Sequence, residues 1–179
     1  IALIVSGVLL ACSFPKLAFF PLSWFCLVPF LQFLIGARSW RLVFLGHILF
    51  FGPFFSIVLY WIPRVIYEYG ELPWLLSGMI FVLLVVAMSL LMFPLSAVTR
   101  FISGRTSQEI ALLTVPATWT SCELLRNYVG AGGFPWASIG YSQVPFSWLL
   151  QVADLGGVYL ISFLLVSLNC AWIFWWRNI

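Results

Sequence analysis

The sequence predicts an all-α integral membrane protein with about six transmembrane helices. Of its 179 residues, 64% are hydrophobic and only 7% are charged, whereas a typical soluble domain is about 25% charged. Four of the stretches that contain no charged residue are 17–37, 42–63, 72–99 and 155–176. Because about 20 consecutive apolar residues cross the hydrocarbon core of a bilayer, these stretches exclude a soluble enzyme.

The apolar stretches resolve into hydrophobic segments at roughly 1–12, 22–36, 42–62, 73–98, 110–127 and 152–176. The first two are short, and the prolines between them, Pro15 and Pro21, are expected to end one helix and open the next. The third segment contains His47 and Pro53. A proline kink at Pro53 is tolerable if neighbouring helices cover the carbonyl that it frees. We expect His47 to have a hydrogen-bonded packing role, with proton transfer or ligand contact as the alternative.

The fifth segment is the least hydrophobic and contains Glu123 and Arg126 near its end. Ionisable residues at such depth face protein or water rather than lipid. Between the fifth and sixth segments we predict a partly non-helical loop at the outer face, at 127–151, because glycines and prolines interrupt it. We expect Asp154 to cap the N-terminus of the last helix, where the helix dipole favours a carboxylate.

The basic residues of the short loops predict the orientation of the chain. If the first segment runs outward, the basic residues on the cytoplasmic side are Arg38, Arg41, Arg100, Arg105 and Arg177. Those on the outer side are Lys16, Arg64 and Arg126. Both termini of the chain are then cytoplasmic.

Composition also excludes several kinds of site. The formal charge of +3 is too small, and the arginines are too scattered, for nucleic-acid binding. The cysteines lie far apart without a C-x-x-C pair, so they predict neither a metal site nor a disulfide framework. No Ser/His/Asp set can be assembled around a single histidine. We therefore expect no metal, no cofactor and no catalytic residue in the chain.

The ends of the sequence suggest a fragment. The chain starts at Ile1 without a methionine and stops at Ile179. A cleaved signal peptide is a poorer explanation of 1–12, because no small-residue cleavage site follows. We expect residues 1–179 to form a single transmembrane helical domain that is truncated at both ends.

Glu123 and Arg126 form the first candidate site. They lie one helical turn apart, so they can pair on one face of a helix. One interpretation is an ion pair that anchors the helix end at the membrane interface. The other is functional, since the planar guanidinium of Arg126 suits an anionic lipid phosphate.

A stretch rich in glycine and aromatic residues, at 130–136, forms the second candidate site and includes Phe134, Pro135 and Trp136. Glycine permits positive φ and close backbone approach. Non-helical backbone at membrane depth occurs only inside protein or along a cavity. The stretch is therefore either an interfacial loop with aromatic anchors or the wall of an entrance for a lipid acyl chain.

Short motifs spread along the chain carry a resemblance to a known family. They are SFP at 13–15, LVP at 27–29, YW at 60–61, PATW at 116–119, ExxR at 123–126, GFPW at 133–136, GYSQ at 140–143 and GVYLISF at 157–163. Over nearly its whole length the chain resembles the N-terminal membrane domain of bacterial apolipoprotein N-acyltransferases. The succession of ExxR, GFPW and GYSQ is the most specific part.

The resemblance implies a location and a reaction. The location is the bacterial inner membrane. There, a periplasmic nitrilase-like domain uses a cysteine to move an acyl chain from a phospholipid to the diacylglyceryl-cysteine of an apolipoprotein. The catalytic Glu, Lys and Cys belong to that domain, and none of the cysteines here matches, so we expect the fragment to be inactive alone. The residues expected to bind substrate are Glu123, Arg126, Phe134, Pro135, Trp136, Tyr141 and Gln143.

Three alternatives remain open at this point. The first is a membrane domain that partners a polyprenyl-phosphate glycosyltransferase. The second is a small transporter, although apart from His47 the clean spans offer little polar lining at mid-membrane depth. The third is a truncated gene product without activity.

Overall fold

The computed structural model describes residues 1–129 and 133–177, and every regular element within them is a helix. The elements in chain order are α1 (Ala2–Cys12), a first 3₁₀ helix (Phe20–Trp24), α2 (Val28–Gly36), α3 (Trp40–Val58), α4 (Ile62–Gly70), α5 (Trp74–Leu91), α6 (Phe93–Ser103), α7 (Gln108–Leu125), a second 3₁₀ helix (Ile139–Gln143), α8 (Ser147–Leu150) and α9 (Ala153–Arg177). The predicted all-α fold class is confirmed for this part of the chain.

Three helical stretches in the described residues are long and apolar enough to cross a bilayer: Trp40–Val58, Trp74–Ser103 and Ala153–Arg177. They correspond to the third, fourth and sixth predicted segments. The first two segments are helical but shorter, and the fifth forms α7, which is not among the three. The total of six spans therefore stays a prediction.

Prolines and glycines shift several predicted boundaries. The third segment, predicted to end at 62, ends as a helix at Val58, and Pro63, in the first turn of α4, helps to start a separate short helix beyond it. The fourth segment extends beyond its predicted end, but it breaks at Met92, just before Pro94, into α5 and α6. By contrast, α3 remains one helix through Pro53.

The last helix also differs from expectation at its start. Gly156 and Gly157 have non-helical backbone angles inside α9, with φ of +64° at Gly157, so its long regular part begins after them. Asp154 therefore belongs to a short turn ahead of this break. The position predicted for Asp154, capping the long helix, is wrong, because the two glycines intervene.

Several predicted cytoplasmic residues meet at one end of the bundle. A guanidinium nitrogen of Arg100 donates to the carbonyl of Arg38 at 3.2 Å. The guanidinium of Arg177 lies 3.7 Å from the carboxylate of Glu109. Gln108 of α7 also donates to the carbonyl of Ile35 in α2. These contacts join the ends of α2, α6, α7 and α9, so three of the five basic residues that the sequence assigns to one side share one end of the structure.

His47 is fully buried and joins α3 to the break between α5 and α6. Its Nε2 lies 2.7 Å from the carbonyl oxygen of Ser89, and its Nδ1 lies 2.8 Å from the hydroxyl of Ser96. Because a carbonyl can only accept, Nε2 carries the proton and Nδ1 of the neutral ring accepts from the hydroxyl. The predicted hydrogen-bonded packing role is confirmed.

Asn169 holds the irregular backbone between α1 and α2 against α9. Its side-chain oxygen accepts from the N–H of Leu27 at 3.0 Å, and its NH₂ group donates to the carbonyls of Ser23 at 2.8 Å and Leu165 at 2.9 Å. A 3₁₀ helix and its flanks leave backbone groups unpaired, and such groups need partners inside a bilayer. This buried amide supplies them.

Replacing Asn169 by leucine is expected to destabilise the fold. The variant keeps the volume but leaves the Leu27 N–H and the Ser23 carbonyl buried without a partner, at a cost of about 1–3 kcal/mol for each group. Thermal unfolding in detergent measures the loss. Ser167→Ala is the matched control, since Ser167 lies on the same helix, is half-buried and donates to the Phe163 carbonyl of that helix. Equal melting temperatures for the two variants would contradict the assignment.

Candidate functional site

An apolar cavity of about 830 Å³ opens at the end of the bundle opposite the Arg38–Arg100 contact. Three parts of the chain line it: the linker after α1, the junction of α3 and α4, and the segment that leads into the second 3₁₀ helix. The lining residues are Ala11, Phe14, Pro15, Lys16, Leu17, Ser56, Ile57, Val58, Leu59, Tyr60, Trp61, Pro135, Trp136, Ala137, Tyr141 and Val144. The volume and the apolar, aromatic lining are typical of a small-molecule or lipid site.

Two side-chain contacts link the walls of the cavity. The ammonium of Lys16 donates to the hydroxyl of Tyr60 at 2.8 Å and lies 3.9 Å from the centre of the same ring. The rings of Trp61 and Trp136 meet edge to face, with 5.8 Å between their centroids. The three chain segments are therefore joined at the cavity by a cation–π contact and by an aromatic pair.

The third wall, which we call the wall loop (residues 133–138), has an unusual backbone. Ala137 has φ of +66° and Gly133 has φ of +76°. A left-handed conformation at a residue with a side chain costs of the order of 1–3 kcal/mol and persists only where the surroundings impose it. The contacts that follow Ala137 in the chain supply that constraint.

Glu123 is the first of these constraints. Only 1% of it is exposed. Its Oε1 accepts from the N–H of Ile139 and from Nε1 of Trp119, both at 2.8 Å. Ile139 is the first residue of the second 3₁₀ helix, so the carboxylate anchors the backbone immediately after the wall loop.

The second constraint is the packing of the second 3₁₀ helix on α9. The N–H of Gly140 donates to the hydroxyl of Ser162 at 3.0 Å. A Cβ added at Gly140 would lie 2.5 Å from the carbonyl oxygen of Val158. Only glycine permits this approach, which gives the glycine of the GYSQ motif a structural reason.

Arg126 lies behind the wall rather than in the cavity. It is 1% exposed, and its backbone carbonyl accepts from the N–H of Phe134 at 2.8 Å. Its guanidinium carbon is 5.6 Å from the ring centre of Phe55, while Nε and Nη1 have no hydrogen-bond partner among the described residues.

The predicted ion pair between Glu123 and Arg126 does not form. The ion pairs among the described residues are Arg64 with Glu68 and Arg177 with Glu109. Spacing by three residues brings two side chains to one helix face, but here Trp119 and Ile139 provide donors that the carboxylate takes instead.

Gln143 is also buried, in a network away from the cavity. Its Oε1 accepts from Nε1 of Trp24 at 3.0 Å, and its Nε2 donates to the hydroxyl of Ser23 at 2.7 Å. The two 3₁₀ helices are therefore connected by this side chain. This geometry fits a structural role for Gln143 in holding the two 3₁₀ helices together.

The predicted substrate-binding residues thus fall into two groups. Pro135, Trp136 and Tyr141 line the cavity, and 56% of Trp136 is exposed. The residues that are not part of the lining are Glu123, Arg126, Phe134 and Gln143. Part of the glycine-rich stretch, 130–132, lies outside the described residues.

Sequence reasoning did not include Lys16, Tyr60 and Trp61 in the site, although all three line the cavity. A signal for them existed, because Lys16 is the single lysine and the YW motif ends the third segment. The contact between Lys16 and Tyr60 joins residues 44 positions apart in the sequence. A local sequence pattern does not indicate a contact over such a separation.

The described residues contain no group of three or more His, Cys, Asp or Glu side chains that could hold a metal ion. The cysteines are unpaired thiols, with Cys26, Cys122 and Cys170 buried and Cys12 half-buried. The site is therefore defined by shape and apolar lining in this part of the chain.

Comparison with known proteins identifies relatives of this chain. An apolipoprotein N-acyltransferase from Geobacter metallireducens is 37% identical over 169 residues, which cover 93% of this chain and 31% of that protein. The enzyme of the same name from Chromobacterium violaceum is 31% identical and covers 96% of this chain. The one from Thermotoga maritima is also 31% identical and covers 93%.

This chain spans about one third of the length of these curated relatives, with 31% of the first covered and 33% of the other two. A family model described as the apolipoprotein N-acyltransferase N-terminal domain matches residues 6–171. The match includes the cavity, both 3₁₀ helices and most of α9. The chain therefore belongs to the family of apolipoprotein N-acyltransferase N-terminal domains.

Proposed function

We propose that this chain is the membrane domain of an enzyme that transfers an acyl chain from a phospholipid to the N-terminal diacylglyceryl-cysteine of apolipoproteins. The observation that carries the proposal is the apolar, aromatic-walled cavity, which occurs in a chain of this family. Family membership favours this function over a glycosyltransferase partner or a small transporter. No specific observation supports either of those alternatives.

We place the protein in the bacterial inner membrane, with both termini of the chain in the cytoplasm. The support is the clustering of basic residues at the end that carries Arg38, Arg100 and Arg177, since short cytoplasmic loops are rich in basic residues. The cavity then opens at the periplasmic side, which is where a nitrilase-like domain would meet it.

In this proposal the chain binds substrate and the nitrilase-like domain performs the chemistry. A cysteine thiolate of that domain attacks the ester carbonyl of the phospholipid, and a lysophospholipid leaves. The α-amine of the apolipoprotein then attacks the thioester, an amide forms and the thiol is released. The cavity contributes by holding the acyl chain so that its ester lies at the membrane surface. The chain alone is inactive on this account.

Direct contact with lipid is assigned to Pro135, Trp136 and Tyr141, because these residues line the cavity. Glu123 is assigned a positioning role, since its carboxylate is buried and holds the backbone after the wall loop. Contact of Arg126 with a lipid phosphate stays a prediction. Its two unpaired guanidinium nitrogens suit a phosphate, but a phosphate reaches them only if the wall moves.

Replacing Trp136 by alanine in the full-length protein that carries this chain is expected to lower kcat/KM for acyl transfer about tenfold. The reason is the loss of a large apolar wall, since burial of an aromatic side chain contributes roughly 1.5–3 kcal/mol. The assay follows transfer from a fluorescent phospholipid to a diacylglyceryl peptide. Trp148→Ala is the matched control, because Trp148 is 82% exposed and lies outside the cavity. Equal rates for both variants would refute the assignment.

Two substitutions at Glu123 separate positioning from a role for its charge. Glu123→Leu removes the acceptor for two buried N–H groups, so we expect loss of activity and a cost of about 1–3 kcal/mol per group. Glu123→Gln keeps an oxygen acceptor without the charge, and we expect it to retain most of kcat/KM. If Gln and Leu inactivate equally while the Gln variant keeps its melting temperature, the charge itself is required and the positioning role is wrong.

A further inference from the structure

A groove of about 410 Å³ lies between the end of α2 and the first turn of α3, at the end of the bundle opposite the cavity. We call it the basic-end groove. Its lining residues are Gln32, Phe33, Gly36, Ala37, Arg38 and Leu42. Gln32, Gly36 and Leu42 are exposed, so the groove is open at the surface of the bundle. None of its lining residues belongs to the lining of the cavity.

The end of the bundle that carries this groove is strongly positive. In the described part of the chain, four arginines flank the start of α3 and the end of α6 without a carboxylate partner: Arg38, Arg41, Arg100 and Arg105. Of the five acidic residues in the sequence, Glu109 belongs to this end, and its carboxylate lies 3.7 Å from the guanidinium of Arg177. The unpaired positive charge is therefore complementary to an anion.

Two of these guanidinium groups are held in place at the protein surface. A nitrogen of Arg100 donates to the carbonyl of Arg38 at 3.2 Å, and a Cβ added at Gly104 would clash with another nitrogen of the same group. Nε of Arg100 has no hydrogen-bond partner among the residues described. The guanidinium carbon of Arg105 lies 4.0 Å from the ring centre of Phe101. Arginines held in this way keep N–H donors for a phosphate.

The floor of the basic-end groove is apolar. The ring of Phe33 packs against Gly46 of α3, where an added Cβ would overlap the ring, and Ala37 is buried beside it. A soluble phosphate would use the arginines and leave this apolar surface in contact with water. A phospholipid uses both parts, because its acyl chain covers the apolar floor while its phosphate contacts the arginines.

The same charges distinguish between classes of phospholipid. A zwitterionic headgroup brings its own cation next to the unpaired arginines, which repel it. The carboxylate that could receive this cation, Glu109, is already close to Arg177. An anionic headgroup has no such penalty. The groove therefore favours a lipid with a net negative charge.

We propose that the basic-end groove binds an anionic phospholipid of the cytoplasmic leaflet, such as phosphatidylglycerol. Its phosphate lies between Arg38 and Arg100, and an acyl chain lies along Phe33 and Leu42. The inference rests on the proposed orientation, which places this end in the cytoplasm, and goes beyond the proposed function, because the lipid bound here is not an acyl donor. Basic pockets on the cytoplasmic side of membrane proteins bind anionic headgroups, and each basic residue contributes enough for a preference of roughly fivefold.

The test measures which lipid stays bound to the full-length protein that carries this chain. The protein is reconstituted in nanodiscs of equimolar phosphatidylglycerol and phosphatidylethanolamine with the same acyl chains, released into mild detergent, and examined by native mass spectrometry. We expect Arg38→Gln to lower the retained phosphatidylglycerol about fivefold relative to wild type, and Arg38→Lys to keep most of it. Arg41→Gln is a second variant, expected to lower retention in the same direction should Arg38→Gln prove unstable.

Two controls make the outcome specific to the groove. Arg64→Gln removes an exposed arginine that pairs with Glu68 and does not line the groove, and we expect it to leave the retained phosphatidylglycerol unchanged. Trp136→Ala opens the wall of the cavity at the other end of the bundle, and it is also expected to leave phosphatidylglycerol retention unchanged.

Equal retention of phosphatidylglycerol in wild type, Arg38→Gln and Arg41→Gln would overturn the inference. An equal loss in Arg64→Gln would also overturn it, because the effect would then come from surface charge in general. A loss in Trp136→Ala would place the anionic lipid in the cavity instead. Acyl transfer is measured separately on the same variants. A normal rate in Trp136→Ala counts against the proposed function and leaves the groove unaffected, whereas we expect Arg38→Gln to keep the wild-type rate because it lies far from the cavity.

Discussion

The hydrogen bond from the N–H of Ile139 to the carboxylate of Glu123 is the interaction on which the site depends. Backbone outside a helix cannot remain unpaired where water is absent, and the wall loop is such a backbone. Two amides act in the same way elsewhere: Gln143 connects the two 3₁₀ helices, and Asn169 pairs the backbone groups of Ser23 and Leu27. Buried polar side chains thus allow irregular backbone at the end of a helical bundle, and the cavity forms where that backbone meets the linker after α1.

This arrangement separates the buried charged groups behind the wall loop from the apolar surface that lines the cavity. The most expensive groups to bury, Glu123 and Arg126, lie behind the wall. The cost of burying Glu123 is offset by its hydrogen bonds from the Ile139 N–H and from Trp119. The front of the wall carries Trp136 and Tyr141, and Lys16 is the charged side chain in the lining. A charged motif in a membrane segment is often taken as the place where substrate binds. Here that charged motif lies behind the wall loop and outside the cavity lining.

The sequence predicted the long helices well because charge-free runs of sufficient length have few alternatives in a bilayer. Prediction failed where the outcome depends on a distant partner. The spacing of Glu123 and Arg126 places them on one face, but the donor that Glu123 takes belongs to Ile139, which is 16 positions away. Tyr141 and Gln143 stand two residues apart in one motif, yet one lines the cavity and the other is buried, because a 3₁₀ helix turns them to different sides.

The contacts around the cavity differ in strength from the contacts behind it. Among the described residues, no backbone–backbone hydrogen bond joins the three lining segments to one another. They meet through the contact of Lys16 with Tyr60 and that of Trp61 with Trp136. Each such contact contributes of the order of 1 kcal/mol, whereas leaving a buried N–H unpaired costs about 1–3 kcal/mol. Under the proposed function, an incoming acyl chain can displace these side-chain contacts and replace their apolar burial with its own, while the hydrogen bond from the Ile139 N–H to Glu123 stays in place. Under the proposed function, exchange of the acyl chain therefore requires side-chain movement at the cavity mouth and no change in the backbone that positions the wall.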